Sequence, residues 1–367
     1  MATVITMKSS MLERFGACVA TGIAVALFVS ACGAAPGPSG SASTTPAGPF
    51  NGKTINFLVA GSTGGAEDQE ARLVANYLGP NLGATINVKD IPLGSHVVGL
   101  NDMASAKPDG LTLGLASIAG IVESNVGQLP DVHFDLTSYT YLANLFTSAS
   151  GVLVTQPDNS FKSVEDLEKI TDSGQVRLLI ALSGTTSLQS VTALAALRIP
   201  YTEITGFASL DAVTTGFLAG DGNLTNLPAS RGLPLIQTGK AQPLLVITGD
   251  KTDPTFPGTT TLPTALANLG DKADSSAAQA AQAEIPMLSL SPIVTPKGLP
   301  PDLAAVLTSA LVKVGGNPDF QAAAKKAHLD AATPPLTGAD LTQQIDLVNK
   351  SIDVMTPYIL AASGKGS

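Results

Sequence analysis

The chain has 367 residues, two cysteines and a formal net charge of −9. Cys18 and Cys32 both lie in the leader region, so the part beyond it has no disulfide, no thiol nucleophile and no cysteine metal site. The acidic balance argues against a nucleic-acid partner, which attracts clustered Lys and Arg. It leaves room for an anionic ligand, because backbone dipoles gathered in a cleft can outweigh the average surface charge.

The N-terminus reads as a lipoprotein secretion signal over residues 1–31. Lys8 and Arg14 supply its positive start, and the apolar run from Val19 to Val29 is too short to span a bilayer. Val29-Ser30-Ala31-Cys32 closes it in the form that a lipoprotein peptidase cuts before cysteine. Cys32 is therefore expected to carry the lipid, and residues 32–52 to act as a flexible linker, since Gly33 to Gly48 is rich in Gly, Ser, Pro and Thr. These features place the remainder outside the cytoplasm, anchored to the cell membrane. That remainder is long enough for two ordinary domains.

From Ile55 the pattern alternates apolar strands with amphipathic helices. Ile55 to Ala60 reads as a strand, Gly61 to Gly65 as a tight loop, and Ala66 to Leu78 as a helix stopped by Gly79 and Pro80. A strand at Thr85 to Val88, a helix from Val97 to Ala106 and a strand at Leu111 to Leu115 follow. Such alternation implies a parallel sheet covered by helices. A second series starts after Val152 to Val154, with a helix at Val164 to Ile170, a strand at Val176 to Leu182 and a helix marked by Leu188, Val191, Leu194 and Ala195. Strands at Tyr201 to Ile204 and Pro243 to Thr248 enclose helices near Asp211 to Leu218 and Pro234 to Thr238. Ala273 to Glu284 reads as an exposed helix or a mobile insertion, and Met287 to Val294 as a strand. Helices then start at Pro301 and at Asn317-Pro318-Asp319, and the last runs from Gly338 to Leu360.

Two loops share one design, an apolar strand running into small hydroxyl and glycine residues that open a helix. They are Ser62-Thr63-Gly64-Gly65-Ala66 and Ser183-Gly184-Thr185-Thr186-Ser187. At a helix start the N–H groups lack internal partners and carry the positive end of the dipole, so an oxyanion can accept several hydrogen bonds there. Plain N-capping by Ser and Thr accounts for one such loop by itself. Two of them, one in each α/β unit, fit ligand binding at the carboxyl ends of strands.

The sequence resembles the extracytoplasmic solute-binding proteins of tripartite tricarboxylate transporters, the Bug receptors. Their VPFAPGGGTDVVAR aligns with Val59 to Arg72, VAGSTGGAEDQEAR, sharing Gly64, Gly65, Asp68, Ala71 and Arg72. Lys107 to Leu113 is similar to their APDGYTL. Leu153-Val154, Pro157-Asp158 and Ser163 to Leu167 are similar to LVVNPDLPVKTVKEL, and Asn226-Leu227-Pro228 with Gly239-Lys240 to DNLPSALPHIKAGKLRALAV. Ile293 to Gly298 stands where the family has APAGTP. The resemblance implies an α/β fold of the type II periplasmic-binding class, with domain 1 over residues 53–152 and 249–367, domain 2 over 153–248, and a hinge near Leu153 and Thr248. It further implies a cleft that closes on a small carboxylate, held by Ser62, Thr63, Gly64, Gly65, Ala66 and Asp68 on one side. Ser183, Gly184, Thr185, Thr186 and Ser187 match the SSGVGSTSH loop on the other. The implied partners are membrane permease subunits of a tripartite tricarboxylate-type transporter, with a monomeric receptor, no cofactor and no metal.

Departures from the family pattern matter as much. NRPGAGGNIG becomes Asp90 to Gly99, which loses most glycines and brings Ser95 and His96 to that wall. His96 is either a donor to a ligand carboxylate or a half-buried loop histidine. The second loop is shorter than the family's and lacks its histidine. Glu67, Asp68 and Glu70 fall in one helical turn; either they complement the helix N-terminus, or Glu67 or Asp68 meets an amino group and favours an amino acid over a multiply charged acid. Asp131 to Asp135 reads as a solvated loop rather than a metal site. Neither a P-loop nor a G-x-S-x-G elbow occurs, so capture without catalysis is expected, ahead of a sensory lipoprotein signalling to a membrane kinase or a secreted hydrolase using Ser183.

Overall fold

The computed structural model describes residues 48–61, 63–93, 96–147, 151–181, 185–207, 209–288, 290–327 and 329–362. The signal segment, Cys32, most of the linker, Ser62, Ser95, Ser183 and Gly184 lie outside the described residues. The chain winds β1 (Thr54–Val59), α1 (Ala66–Leu82), β2 (Thr85–Asp90), α2 (Val97–Ser105), β3 (Thr112–Leu115), α3 (Ile118–Val126) and β4 (Tyr139–Phe146). It then crosses to β5 (Gly151–Thr155) and builds a second unit from α4 (Val164–Leu167), β6 (Arg177–Ala181), α5 (Thr185–Ala196), β7 (Thr202–Phe207), α6 (Leu210–Ala219), β8 (Leu224–Pro228), α7 (Ala229–Gln237) and β9 (Gln242–Ile247). Helices α8 (Leu262–Leu269) and α9 (Ser275–Leu288) lead back to β10 (Ile293–Pro296), α10 (Pro301–Gly315), α11 (Pro318–Lys326), β11 (Ala331–Thr337) and α12 (Gly338–Ala362).

The first sheet has the order β11-β4-β10-β3-β1-β2 and the second β7-β6-β8-β5-β9. Both are mixed. Strands wound by βα units are parallel: β2, β1 and β3 in one sheet, β7, β6 and β8 in the other. Strands that enter from the edge where those strands end must run against them. Ile293 of β10 thus starts opposite Leu115, Ala331 of β11 opposite Phe146, and Gly151 of β5 opposite Pro228 and Ile247. The crossing from Phe146 to Gly151 therefore joins the carboxyl-end edge of one sheet to that of the other, whereas after Ile247 the chain stays with the second unit through Thr261, which bridges Val246, and α8, whose Leu262 and Ala265 pack in its core, before α9 leads back.

Four expected features are corrected. Helix α1 does not stop at Gly79-Pro80 but runs to Leu82; a proline in the last turn forgoes one hydrogen bond, and the buried stripe of Val74, Leu78 and Leu82 continues through it. Ala273 to Glu284, expected as an exposed helix or a mobile insertion, lies almost wholly in helix α9, but with Ala277, Ala280, Ala281 and Glu284 buried at helical spacing it is not simply exposed. That stripe continues to Met287, so the strand expected from Met287 begins only at Ile293. The helix expected to Ile170 is the short α4 alone.

Alanine lets α9 lie close to its neighbours α5 and α12. Leu188 and Val191 of α5, which belongs to the second unit, share one apolar cluster with Leu58, Ala60, Val97, Ile118, Met287, Leu341 and Ile345. The other face of the first sheet packs α1, α10 and α11 through Val74, Leu78, Leu311 and Phe320. Phe320 stands edge-on to Tyr77 with ring centres 5.5 Å apart. Asn317 holds this helix in place: its Oδ1 accepts from the Asp319 amide at 2.8 Å and the Phe320 amide at 3.3 Å. Replacing such a cap by alanine costs about 1–2 kcal/mol, so Asn317→Ala should lower the urea-unfolding free energy by that amount. Among the described residues, no helix is long and apolar enough to cross a membrane.

Candidate functional site

The loop after β1 is organised by its own side chains. Gly64 has φ +80, in the left-handed region that favours glycine, and its N–H donates to Asp68 Oδ2 at 2.7 Å. Gly65 is the N-cap of α1 and offers no side-chain cap. The first intrahelical bond runs from Gln69 N to Gly65 O, so the N–H groups of Ala66, Glu67 and Asp68 precede it at the positive end of the dipole. Asp68 is only 3% exposed. Its Oδ1 pairs with Arg72 Nε at 2.6 Å, and Arg72 reaches on to Asp90, which also accepts from the Thr63 hydroxyl at 2.8 Å. The polar groups of Asp68 and Thr63 are thus engaged in framing the loop.

The adjoining wall is formed by α2. His96, half-buried at the N-cap, has φ +75, and Gly99 packs so closely that a Cβ there would stand 2.8 Å from the Ala60 Cα. This approach sets the start of α2 beside the end of β1. The Glu67 carboxylate folds back over Gly61, whose position for a Cβ lies 2.6 Å from Glu67 Oε2. Burial pushes the Glu67 carboxyl up, and the nearby His96 imidazole opposes that rise. One turn on, Glu70 is 5% exposed, and burial, then the charges of Glu67 and Asp330, push it up to about 8. Asp330 lies at the crossing, where its carbonyl accepts from the Thr147 amide at 2.8 Å. Its carboxyl is raised by desolvation and by Asp253.

On the second unit, α5 starts at Thr185, and Ser187 is buried with its hydroxyl donating to Ala181 O at 3.1 Å. Asn226, at the end of β8, donates to the Thr186 carbonyl at 3.2 Å and to Gln189 Oε1 at 2.9 Å. Its own buried Oδ1 has no hydrogen-bond partner among the described residues. Asn226 and Gln189 crowd Gly151, leaving no space for a side chain where β5 begins. Leu188, in the first turn of α5, belongs to the same apolar cluster as Ala60 and Val97, and α5 packs on α9 and α12. A further cavity of about 790 Å³ opens between Ala229, Leu233 and Thr255 on one side and Gln321, Lys325 and Asp330 on the other.

Sequence reasoning grouped Glu70 with Glu67 and Asp68 in one acidic turn without giving it a ligand, and did not name Asp330, Gln189 or Asn226 as site residues. Asn226 carried a signal, since it lies in the Asn-Leu-Pro match; Asp330 carried none, because β11 itself escaped notice. Asp131 to Asp135 is irregular loop leading into a turn in which Asp135 Oδ1 accepts from the Thr137 amide and hydroxyl at 2.7 Å. Among the described residues, no group of three or more His, Cys, Asp or Glu could hold a metal ion.

The profile of the tripartite tricarboxylate transporter family receptor matches residues 70–344. No curated protein matches the sequence. Among solved structures, the chain is similar to a TctC solute-binding protein from Polaromonas, at 17% identity and a TM-score of 0.63, covering 84% of this chain and 98% of that one. It is similar to MatC from Rhodopseudomonas palustris with bound malate, at 16% identity, TM-score 0.62 and coverage of 83% and 99%. A third, from R. palustris with adipate, gives 18%, 0.64, and coverage of 85% and 97%. With two mixed sheets, helices on their faces and a family match spanning most of its length, this chain belongs to the tripartite tricarboxylate transporter receptor family.

Proposed function

We propose that the protein captures a small carboxylate between the carboxyl-end edges of its two sheets and delivers it to the membrane permease of a tripartite tricarboxylate-type transporter. What supports this reading is that α1 and α5 each start after the carboxyl end of a parallel strand, and that Leu188 and Val191 of α5 belong to the same apolar cluster as Ala60 and Val97, α5 itself packing on α9 and α12. The malate and adipate bound by two structural relatives are carboxylates of the expected kind. On the first side, the amides at Gly65, Ala66 and Glu67 receive one carboxylate, with Ser62, Ser95 and His96 around it. On the second, Ser183, Gly184, Thr185 and Thr186 close over the rest while Ser187 braces the turn. Residues 53–152 with 249–367 move against 153–248 about the two crossings, and closure excludes water, which strengthens those bonds. The protein binds without transforming its ligand and works as a monomer, held outside the cytoplasm by lipid on Cys32.

The test is calorimetry with malate, succinate, adipate and citrate on the intact chain and on Gly65→Val. A valine at the N-cap crowds the backbone approach, so affinity for whichever carboxylate binds should fall by about tenfold or more. A thermal-shift screen should show the same ligand raising Tm. Unchanged affinity in Gly65→Val would place the site elsewhere.

A further inference from the structure

We propose that Asn226 is a positioning residue: it sets the first turn of α5, expected to hold one end of the ligand, and ties that setting to the crossing strand at Gly151. This rests on the cleft reading above and adds the side chain that aligns its second wall.

Asn226 sits near the carboxyl end of β8, opposite Leu153 of β5, and is 2% exposed. Its carboxamide reaches two elements at once. The Nδ2 donates to the Thr186 carbonyl at 3.2 Å and to Gln189 Oε1 at 2.9 Å, and the Ser190 hydroxyl donates to the same Thr186 carbonyl at 2.6 Å. A peptide unit is planar, so holding the Thr186 carbonyl also fixes the Ser187 N–H that shares its plane. That N–H lies in the first turn of α5, where amides have no intrahelical acceptor. The Ser187 hydroxyl, bonded to Ala181 O at 3.1 Å, braces the same turn from β6.

The other half of the amide lies against the crossing. A Cβ on Gly151, the first residue of β5, would stand 2.5 Å from Asn226 Oδ1 and would meet Gln189 Oε1 as well. The start of that strand and the first turn of α5 therefore meet through one side chain. Strand-end burial alone would be met better by leucine, because Asn226 Oδ1 is buried without a hydrogen-bond partner among the described residues, and such an acceptor destabilises the fold. What offsets that cost is the hold of Nδ2 on α5. A rotation of the chain at Gly151 shifts the amide, and with it the Thr186 carbonyl and the amides of the turn.

The experiment measures, by calorimetry, how Gly151→Ala, Asn226→Ala and the double variant bind whichever of malate, succinate, adipate and citrate binds the wild-type chain, beside the urea midpoint of each. The nearest neighbours of the added methyl are the two amide ends, so Gly151→Ala should keep a midpoint near that of wild type while displacing the amide. Each single variant should bind about tenfold more weakly. The double variant should bind no more than about twofold below Asn226→Ala, since both changes act through one side chain. Wild-type affinity in either folded single variant overturns the inference and leaves the carboxylate cleft standing. So do losses that add in full in the double variant, or an affinity loss in Gly151→Ala matched by a fall in its urea midpoint, the mark of a purely structural contact. If Asn226→Ala shows no cooperative transition, the affinity and midpoint of Gly151→Ala decide alone. Failure of all four carboxylates to bind the wild-type chain sinks the cleft reading itself, and the inference with it.

Discussion

Glu284→Gln is expected to stabilise the protein at pH 7 and above while changing little near pH 4. Glu284 is 0% exposed on α9. The Thr192 hydroxyl donates to its Oε1 at 2.9 Å, and its Oε2 has no hydrogen-bond partner among the described residues. Burial raises its carboxyl well above the ordinary value of 4.5, and the charge of Glu123 on α3 adds to that rise against the lowering by Thr192. Below the unfolded value the group is protonated in both states, and its contribution is fully present. As pH climbs, the unfolded chain ionises and the folded one does not, so stability is lost by about 1.4 kcal/mol per pH unit until the folded group also titrates. Glutamine keeps an acceptor for Thr192 and has no proton to lose. The two proteins should therefore differ more at pH 7 than at pH 4.5, with the glutamine variant the more stable. Glu70 acts in the same sense up to about pH 8, so the double variant Glu70→Gln/Glu284→Gln should show the flattest profile. Urea midpoints at pH 4.5, 6 and 8 measure this, and parallel profiles for wild type and Glu284→Gln would refute it.

Much of this architecture was legible because its elements have clean periods. The stripe of α12, Leu341, Ile345 and Val348, is helical in sequence and buried in space. The loop after β1 announces itself through Gly64 and Gly65. What stayed hidden has physical causes. Strand β8 reads Leu-Thr-Asn-Leu-Pro, and its buried Thr225 and Asn226 break the apolar pattern because they bond across to the Leu179 and Thr186 carbonyls. Strand β11 carries Pro334 and Pro335, which normally argue against a strand; it survives at the edge of its sheet, where one row of donors is not needed. Helix α9 read as an exposed helix or a mobile insertion because its alanines bury without raising hydrophobicity. The place of Asp330 could not be read, since only the return of β11 to the end of β4 brings it to the crossing, where its carbonyl accepts from the Thr147 amide. Asp68 was visible as a shared residue, but its engagement with Gly64 and Arg72 depends on the fold of the turn.

Asp68→Ala should cost about 2–4 kcal/mol of stability and weaken ligand binding together. The buried carboxylate links the left-handed turn at Gly64 to Arg72. Its loss leaves the Gly64 N–H without its acceptor, and a hydrogen bond to a charged group is worth about 1.5–3 kcal/mol. Arg72 is half exposed and keeps Asp90 at 2.9 Å, so the ion pair adds only about 0.5–1 kcal/mol. Without the brace, the chain from Thr63 to Ala66 must be ordered by the ligand itself, and that ordering cost is drawn from affinity. Asp68→Asn separates the two effects: it retains an acceptor for Gly64 and loses the charge, so it should fall between wild type and Asp68→Ala in urea stability while holding carboxylate affinity nearer to wild type. If Asp68→Ala instead unfolds within about 0.5 kcal/mol of wild type, the carboxylate does not hold this turn, and the amides at the start of α1 are set by the packing of Gly99 against Ala60 alone.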